Sequence, residues 1–200
     1  MKFFLIRGLM QPGKFAQYAH VGTWSDGRLC PDCGITSERL IPPLQIEWEP
    51  GTENIGDFAW CGFTCVVKAT VRNYLSEFEF ECSYASVEIK EPSERTRAKR
   101  VPFPYTGPKL YWLRPNFRVP LNESASGVYL KRECKTCGVK QYNFKQVGLI
   151  VSKQLLGGKK IFQIRQFRSS AIFLTEDAIH LLNQKGFSGY KLIEAGEIIN

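Results

Sequence analysis

Two short cysteine motifs are the strongest chemical signal in the sequence. Residues 30–34 read Cys-Pro-Asp-Cys-Gly and residues 134–138 read Cys-Lys-Thr-Cys-Gly, so both follow the pattern Cys-x-x-Cys-Gly. Two intervening residues let the backbone turn until both sulfurs face one ion, and the glycine tolerates the left-handed conformation that such a turn commonly needs. Each motif is therefore interpreted as a zinc knuckle.

Neither knuckle can complete a coordination shell by itself, but the two together can. Cys30, Cys33, Cys134 and Cys137 are predicted to bind one structural Zn²⁺ in the tetrahedral four-sulfur shell that zinc prefers. Four thiolates leave no open position for a reactive water, so a catalytic zinc is not expected. Two alternatives stay open, namely a thiol redox pair and unligated cysteines in the core.

The knuckles lie far apart along the chain. Their separation exceeds the spacing of a compact zinc finger, so the sequence between them is predicted to be an inserted lobe whose ends the ion joins. Loop-closure entropy rises only slowly with loop length, which makes such a link physically reasonable. Because metal binding by thiolates is coupled to folding, the ion should contribute several kcal/mol to stability.

Three cysteines fall outside the knuckles, at Cys61, Cys65 and Cys82. The simple interpretation is that they are small buried apolar residues. The alternative is a nucleophile at Cys61 or Cys65 that is served by a histidine, and the chain has only His20 and His180. Neither histidine lies in a recognisable motif, and no Ser-His-Asp, nucleotide-binding or hydrolase motif is present, so an enzyme is not expected.

The chain carries a formal net charge of +8. Such a charge favours an anionic partner, which could be nucleic acid, a membrane surface or an acidic protein face. Part of the excess lies in Arg95, Arg97 and Arg100, which could contact phosphates or could simply form a solvated loop. Charge alone does not choose among these partners.

The sequence also indicates a compartment. The apolar stretch before Arg7 is too short for a signal sequence, and no later segment approaches the roughly 20 apolar residues of a membrane span. Seven cysteines, an odd number that includes two tight pairs, favour reduced thiols over a disulfide framework. We therefore expect a soluble, cytoplasmic protein with no membrane partner.

Hydrophobic periodicity predicts an α+β fold in which an antiparallel β-sheet is combined with a few helices and a two-knuckle zinc-ribbon element, all within a single domain of residues 1–200. Strands are predicted at residues 1–7, 44–48, 80–89, 127–132, 149–151, 161–164 and 172–174. Helices are predicted at residues 63–75 and from the N-cap Thr175 to the C-terminal stop Gly186.

Two connections have their own sequence signals. Gly157 and Gly158 stand between two predicted strands, which indicates a hairpin from 149–151 to 161–164. Residues 91–120 begin with a charged run and continue with many prolines. Because proline removes backbone donors and fixes φ, this stretch is predicted to be a long, partly extended connection that its aromatic residues anchor to the body.

With its two Cys-x-x-Cys-Gly motifs the chain resembles the double-CXXCG motif family of myxobacteria and other Gram-negative bacteria. That family includes immunity proteins of the swarming-inhibition toxin system. The resemblance extends to the layout, which has an N-terminal strand, a first knuckle near residue 30, a long insert, a second knuckle and a similar ending. The residues that carry it one by one are Cys30, Cys33, Gly34, Cys134, Cys137 and Gly138.

The resemblance implies an immunity protein of bacterial competition, which binds and neutralises a cognate toxin on a scaffold held by zinc. The basic balance would suit an acidic toxin face. The candidate partner-binding residues are Trp48, Trp60, Arg95, Arg97, Arg100, Tyr111 and Trp112. Core packing is the alternative role for the four aromatics. A nucleic-acid-binding zinc-ribbon protein is the alternative function, in which aromatics would stack on bases.

Overall fold

The computed structural model of the protein describes residues 1–9, 13–22, 24–25, 27–36, 38–62, 64–93, 98–143, 145–167 and 171–200. The fold class is α+β, as the sequence predicts. In chain order the strands are β1 (Lys2–Gly8), β2 (Tyr18–His20), β3 (Leu44–Trp48), β4 (Phe58–Cys61), β5 (Thr64–Lys68), β6 (Cys82–Ile89), β7 (Leu110–Pro115), β8 (Arg118–Val119), β9 (Leu130–Glu133), β10 (Lys140–Tyr142), β11 (Leu149–Ser152), β12 (Ile161–Ile164), β13 (Ile172–Thr175) and β14 (Tyr190–Ile199). The helices are α1 (Ala69–Glu77), α2 (Glu123–Ser126), α3 (Lys153–Leu156) and α4 (Glu176–Lys185).

The N-terminal strand β1 lies inside the first six-stranded sheet, whose strand order is β11-β14-β1-β13-β12-β8. It pairs antiparallel with β13 on one side and with β14 on the other. Successive side chains of a strand point to opposite faces. Phe3 and Leu5 accordingly enter a core that Leu156 of α3 also joins, whereas Phe4 and Ile6 contact a second core. Apolar residues therefore cover both faces of this sheet.

Residues 18–115 supply all strands of the second six-stranded sheet, which is inserted between β1 and β8. Its strand order is β2-β3-β6-β7-β5-β4. The sheet curls until β2, at one edge, contacts the β4–β5 hairpin at the other edge, where the Tyr18 hydroxyl donates a hydrogen bond of 3.1 Å to the Thr64 carbonyl oxygen. The curled sheet encloses a third core that contains Ile46 and Trp48.

The two sheets share the core that lies between them. Val71 and Leu75 of α1 and Ala178 and Leu182 of α4 all belong to it. The hydroxyl of Tyr74 on α1 donates a hydrogen bond of 2.7 Å to a backbone carbonyl oxygen of α4, so the helix of the inserted part is tied to the helix of the first sheet. Among the described residues no helix is both long and apolar enough to cross a membrane.

The half-buried carboxylate of Asp57 adds a polar link between the inserted part and the C-terminal part. One oxygen of Asp57 accepts hydrogen bonds from the Ser188 amide at 2.9 Å and from the Ser188 hydroxyl at 2.7 Å, and the other lies 3.3 Å from the Lys68 ammonium. Burial alone would raise the pKa of Asp57, but Ser188 and Lys68 outweigh it and hold that pKa below its ordinary value.

The C-terminal helix forms as the sequence predicts. The Thr175 hydroxyl oxygen accepts a hydrogen bond of 3.3 Å from the Ala178 amide and so satisfies one of the free donors of the first turn. Gly186 ends α4 in the left-handed conformation with φ +64°. Phe187 then folds back, and its ring lies 5.4 Å from that of Tyr74.

The predicted helix at 63–75 is wrong at its start. Residues Thr64–Lys68 form β5, the helix begins at Ala69 and runs to Glu77, and Phe63 lies outside the described residues. The reason is that β5 is buried on both faces: Val66 packs into the third core and Val67 into the shared core. A strand covered on both sides loses its alternating pattern and can be mistaken for a helix.

The predicted hairpin across Gly157 and Gly158 is also wrong. A short helix, α3, follows β11 directly, and Gly157 ends that helix with φ +61°. β11 pairs in parallel with β14, whereas β12 pairs antiparallel with β13. The glycine pair thus serves as a helix stop instead of a strand turn.

The predicted connection at 91–120 is shorter than expected, because its last third forms β7 and β8. Most strand pairs are antiparallel as predicted, but β3 with β6, β8 with β12, and β11 with β14 are parallel. The C-terminal strand β14 carried no prediction, although it pairs with two other strands. Its pattern of buried positions is irregular, which weakens the periodic signal.

Candidate metal centre

The first knuckle is a tight turn in the connection between β2 and β3. Its backbone closes on itself: the Gly34 amide donates a hydrogen bond of 2.9 Å to the Cys30 carbonyl oxygen, and the Cys30 amide donates one of 3.0 Å to the carbonyl oxygen of Ile35. Gly34 has φ +67°, and a β-carbon there would strain the backbone although it would meet no neighbour within 4 Å. Glycine at position 34 therefore allows the left-handed backbone conformation that this turn requires.

The second knuckle, between β9 and β10, repeats this geometry. The Gly138 amide donates a hydrogen bond of 2.8 Å to the Cys134 carbonyl oxygen, and the Cys134 amide donates one of 2.9 Å to the Val139 carbonyl oxygen. Gly138 has φ +68°. Equivalent residues of the two knuckles are 104 positions apart, as for Cys30 and Cys134. Each knuckle therefore presents its two sulfurs in the same way.

The structure brings the four predicted ligands together. The sulfurs of Cys30 and Cys134 are 3.7 Å apart, those of Cys33 and Cys137 are 3.6 Å apart, and all four lie within 4.8 Å of one another. Zinc–sulfur bonds of about 2.3 Å at tetrahedral angles place the sulfurs about 3.8 Å apart, so the observed spacing fits such a shell. Disulfides require sulfurs about 2 Å apart, and all four cysteines are free.

Two further contacts join the knuckles beside the sulfurs. The hydroxyl of Thr136 in the second knuckle donates a short hydrogen bond to the carboxylate of Asp32 in the first. Arg132 of β9 donates a hydrogen bond of 3.2 Å to the Asp32 carbonyl oxygen. These contacts lie on the exposed side of the cluster, whereas Cys30 and Cys134 lie on its buried side. Asp32 therefore docks the first knuckle against the second.

Backbone dipoles around the cluster favour thiolate. The amides of Cys137 and Thr136 point at the Cys134 sulfur and lower its pKa to about 6. The Ile35 amide acts in the same direction on Cys33, but burial and the other three sulfurs outweigh it and raise the pKa of Cys33 to about 12. Four sulfurs this close repel one another as thiolates, and a bound cation removes that repulsion. The set is suited to a closed metal site without an open coordination position.

The candidate partner-binding residues do not form one exposed site. Trp48 and Trp112 are buried, and their rings belong to the third core, which is the alternative role that the sequence allows. Trp60 and Tyr111 are half-buried and pack against the shared core. Arg100 is half-buried, and its Nη2 has no hydrogen-bond partner among the described residues. Arg95 and Arg97 lie outside the described residues.

The remaining cysteines occupy different environments. Cys65 is completely buried, as expected for a small apolar residue, and Cys82 is half-buried on β6. Cys61 is also half-buried, and its sulfur lies 3.7 Å from Nδ1 of His20. The second histidine, His180, is exposed on α4. Sequence reasoning left the pairing of Cys61 with His20 open, because the two residues are on different strands and share no local motif.

No family model matches the chain, and no curated protein matches it.

Proposed function

We propose that Cys30, Cys33, Cys134 and Cys137 hold one structural Zn²⁺, and that the protein is a non-catalytic immunity protein that binds and neutralises a cognate bacterial toxin. The closed four-sulfur cluster carries this proposal. Its tetrahedral spacing and its sulfur ligands suit Zn²⁺. The two motifs that form it are also those that resemble the double-CXXCG family.

Exposed apolar residues on the knuckles and in the segments that flank them in the sequence support a protein partner. We call residues 29–36 and 130–142 the knuckle unit: the first turn, closed by the bridge between Leu29 and Thr36, and the second turn with strands β9 and β10. Most of the large apolar side chains exposed in the described part of the chain lie on this unit or in the segments that lead to it: Val21, Trp24, Leu29, Ile41, Tyr129, Leu130 and Val147. Concentrations of this kind mark protein interaction sites more often than ordinary surface. Leu29, at 69% exposed, is the most exposed of them.

The charge of the knuckle unit indicates the charge of the partner surface. The second knuckle and its strands carry exposed basic side chains at Lys131, Arg132, Lys135 and Lys140. Glu133 offsets only part of this charge, through a contact of 3.8 Å with Lys140. An apolar centre with a basic rim is complementary to a toxin surface with an apolar centre and acidic residues around it. Zinc would keep this surface rigid, which reduces the entropic cost of binding.

A nucleic-acid-binding zinc ribbon is the second candidate function. The basic side chains of the β9–β10 hairpin and the exposed ring of Tyr129 are the observations that favour it. Binding to phosphates releases counterions, so its affinity falls steeply as the salt concentration rises. A complex with an apolar centre loses less affinity under the same change. Titration at increasing salt, with a generic duplex and with the toxin, separates the two functions.

The metal is tested on purified protein. Elemental analysis should find about one zinc ion per chain, since four thiolates complete one tetrahedral shell. Iron in place of zinc would change the identity of the ion but leave the site. The absence of any bound metal in protein purified without chelators would contradict the structural ion.

The partner is tested with toxin candidates encoded beside the gene of this protein, each purified as an inactive form. Calorimetry should detect binding of one of them, and co-expression should protect cells from its active form. Leu29→Ser together with Tyr129→Ser should weaken that binding about tenfold or more, since buried anchors dominate interface energies. The matched control is Leu155→Ser, an exposed leucine on α3, outside the knuckle unit.

Two negative outcomes are distinct. If no candidate binds and none is neutralised, the immunity function is wrong. If a candidate binds with equal affinity to the double variant, the function stands but the knuckle unit is not its interface.

A further inference from the structure

The seam where the curled sheet meets itself contains a cysteine, a histidine and a threonine. His20 ends β2 at one edge of the sheet, while Cys61 ends β4 and Thr64 begins β5 at the other edge. Gly62, with φ +56°, makes the tight turn between these two strands. The curl therefore brings the imidazole against the tip of the β4–β5 hairpin, 41 residues further along the chain.

The hydrogen bonds at this seam have a defined direction. The Thr64 hydroxyl donates its single proton to the Cys61 carbonyl oxygen at 2.8 Å. With the proton used in that way, its oxygen accepts the short contact from Nε2 of His20, and this arrangement assigns the ring proton to Nε2. The other ring nitrogen, Nδ1, is left with a lone pair, and it faces the Cys61 sulfur at 3.7 Å. Thr64 thus fixes both the tautomer and the orientation of the imidazole.

We propose that Cys61 is a reactive thiol for which His20 acts as the general base and Thr64 as the positioning residue, so that the seam is a covalent modification site for uncharged soft electrophiles. A nucleophile, a base within reach of its proton and a third group that orients the base form the arrangement of known cysteine nucleophiles. This inference goes beyond the proposed function and does not depend on it.

The environment of the pair supports general-base assistance over a resting ion pair. Burial lowers the pKa of His20, so the imidazole is neutral and able to accept a proton at neutral pH. Burial and the nearby charge of Glu49 raise the pKa of Cys61, although the His20 amide acts against them, so the thiol keeps its proton at rest. The thiol proton must therefore leave Cys61 during the attack, and Nδ1 of His20 can accept it.

The step is a simple substitution. The Cys61 sulfur forms a bond to the electrophilic carbon, the bond from that carbon to its leaving group breaks, and the leaving group departs with the electron pair. The thiol proton passes to Nδ1 of His20 and then to water. Because Glu49 places negative charge near Cys61, an anionic reagent should react more slowly than a neutral one of the same shape.

The other cysteines of the chain lack this combination. Cys65 is completely buried. Cys82 is half-buried, but burial raises its pKa to about 12, and the polar groups that act on it are Tyr84 and Glu81 instead of an imidazole. The knuckle cysteines are metal ligands in the proposed holoprotein. Cys82 therefore serves as the internal control for the reactivity of Cys61.

The test is alkylation of the metal-loaded protein by iodoacetamide, followed residue by residue by peptide mass spectrometry. Cys61 should react faster than Cys82. His20→Gln should slow the alkylation of Cys61 about a hundredfold, the lower end of the range of general-base assistance, and should leave Cys82 unchanged. The matched control is His180→Gln, which alters the exposed histidine of α4 and should change neither rate.

Two further measurements distinguish His20 as a general base from His20 as a residue that only joins the two edges of the sheet. Thr64→Val should slow the reaction and Thr64→Ser should restore it, because serine keeps the hydroxyl that orients His20. In the unaltered protein, attack with proton transfer should be roughly twofold slower in heavy water, whereas attack by a preformed thiolate should not be. This second measurement needs no variant and remains decisive if His20→Gln does not fold.

Three results would overturn the proposal. They are an alkylation rate at Cys61 that does not exceed that at Cys82, a rate in His20→Gln that equals or exceeds that of the unaltered protein, and the lack of any slowing in heavy water. Each of them would mean that Cys61, His20 and Thr64 only hold the two edges of the sheet together.

Discussion

The hydroxyl of Thr136 donates a hydrogen bond to the carboxylate of Asp32, so the non-cysteine positions of the two knuckles interact directly. Equivalent residues of the knuckles face each other across the cluster, as Cys30 faces Cys134 and Cys33 faces Cys137. The link couples segments 104 residues apart. The contribution of this hydrogen bond to stability can be measured apart from that of the proposed metal.

Cys134→Ser should abolish stoichiometric metal binding and destabilise the fold by several kcal/mol, because the ion then loses one of four ligands and its binding energy no longer supports folding. A chelator should lower the melting temperature of the unaltered protein but not that of the variant. Cys82→Ser, a half-buried cysteine outside the cluster, is the control and should keep its metal. A variant that still responds to the chelator would contradict the assigned ligand set.

Thr136→Val should leave one ion per chain and cost about 1 kcal/mol of unfolding free energy, the usual net value of an intramolecular hydrogen bond. Denaturant titration measures this cost. Lys135→Ala, at the neighbouring exposed position, should be close to neutral. Loss of the metal in Thr136→Val would show that the knuckles need this contact to meet at all.

Gly138→Ala should destabilise the protein by about 1 kcal/mol, because alanine resists the left-handed conformation. A β-carbon at this position meets no atom within 4 Å, so the cost is conformational and not steric. Asn tolerates positive φ better, and Gly138→Asn should cost less than Gly138→Ala. Gly34 has nearly the same φ and should give the same order. Equal costs for Ala and Asn at either position would argue against backbone strain.

Asp57→Asn should destabilise the protein by about 2 kcal/mol at neutral pH, since charged hydrogen bonds to Ser188 and the contact with Lys68 are lost. The folded-state pKa of Asp57 lies below its ordinary value. Its contribution is therefore fully present above the unfolded pKa of about 3.9 and disappears as the pH falls through the folded pKa.

The difference in stability between the unaltered protein and Asp57→Asn should consequently shrink as the solution becomes acidic. Melting temperatures at several pH values measure it, with the exposed Glu53→Gln as control. A difference that stays constant into acid would mean that the carboxylate charge contributes nothing.

Local signals were sufficient for some elements of the fold. β3 was predictable because Leu44, Ile46 and Trp48 are buried while the residues between them are not, so the alternation in the sequence matches the burial. The ends of α4 were predictable because a capping threonine and a left-handed glycine act within a few residues of the helix. Residues within or next to these elements are therefore enough to predict them.

Other elements depend on partners that are distant in the chain. β5 reads as part of a helix because two different cores bury its two faces. The hairpin signal at Gly157 fails because β11 finds its partner in β14, almost 50 residues later, which no local pattern encodes.

The candidate metal centre and the contacts around it likewise include features that local sequence predicts and features that it does not. The spacing within each motif was enough to predict that Cys30, Cys33, Cys134 and Cys137 lie together as a possible metal site, because the geometry of a knuckle is local. The contact between Asp32 and Thr136, and that between Cys61 and His20, arise only when separate strands are brought together. The predicted aromatic anchors show the limit of composition: Trp48 is an aromatic suited to an interface, yet the curl of the second sheet buries it.

The placement of β1 between β13 and β14 has a consequence for synthesis. A ribosome releases β1 well before β13 and β14, the two strands that hydrogen-bond to it. All strands of the curled sheet, residues 18–115, are available much earlier. We therefore expect the inserted sheet to acquire structure during translation while β1 is still unpaired, and the first sheet to close only after β14 has left the exit tunnel.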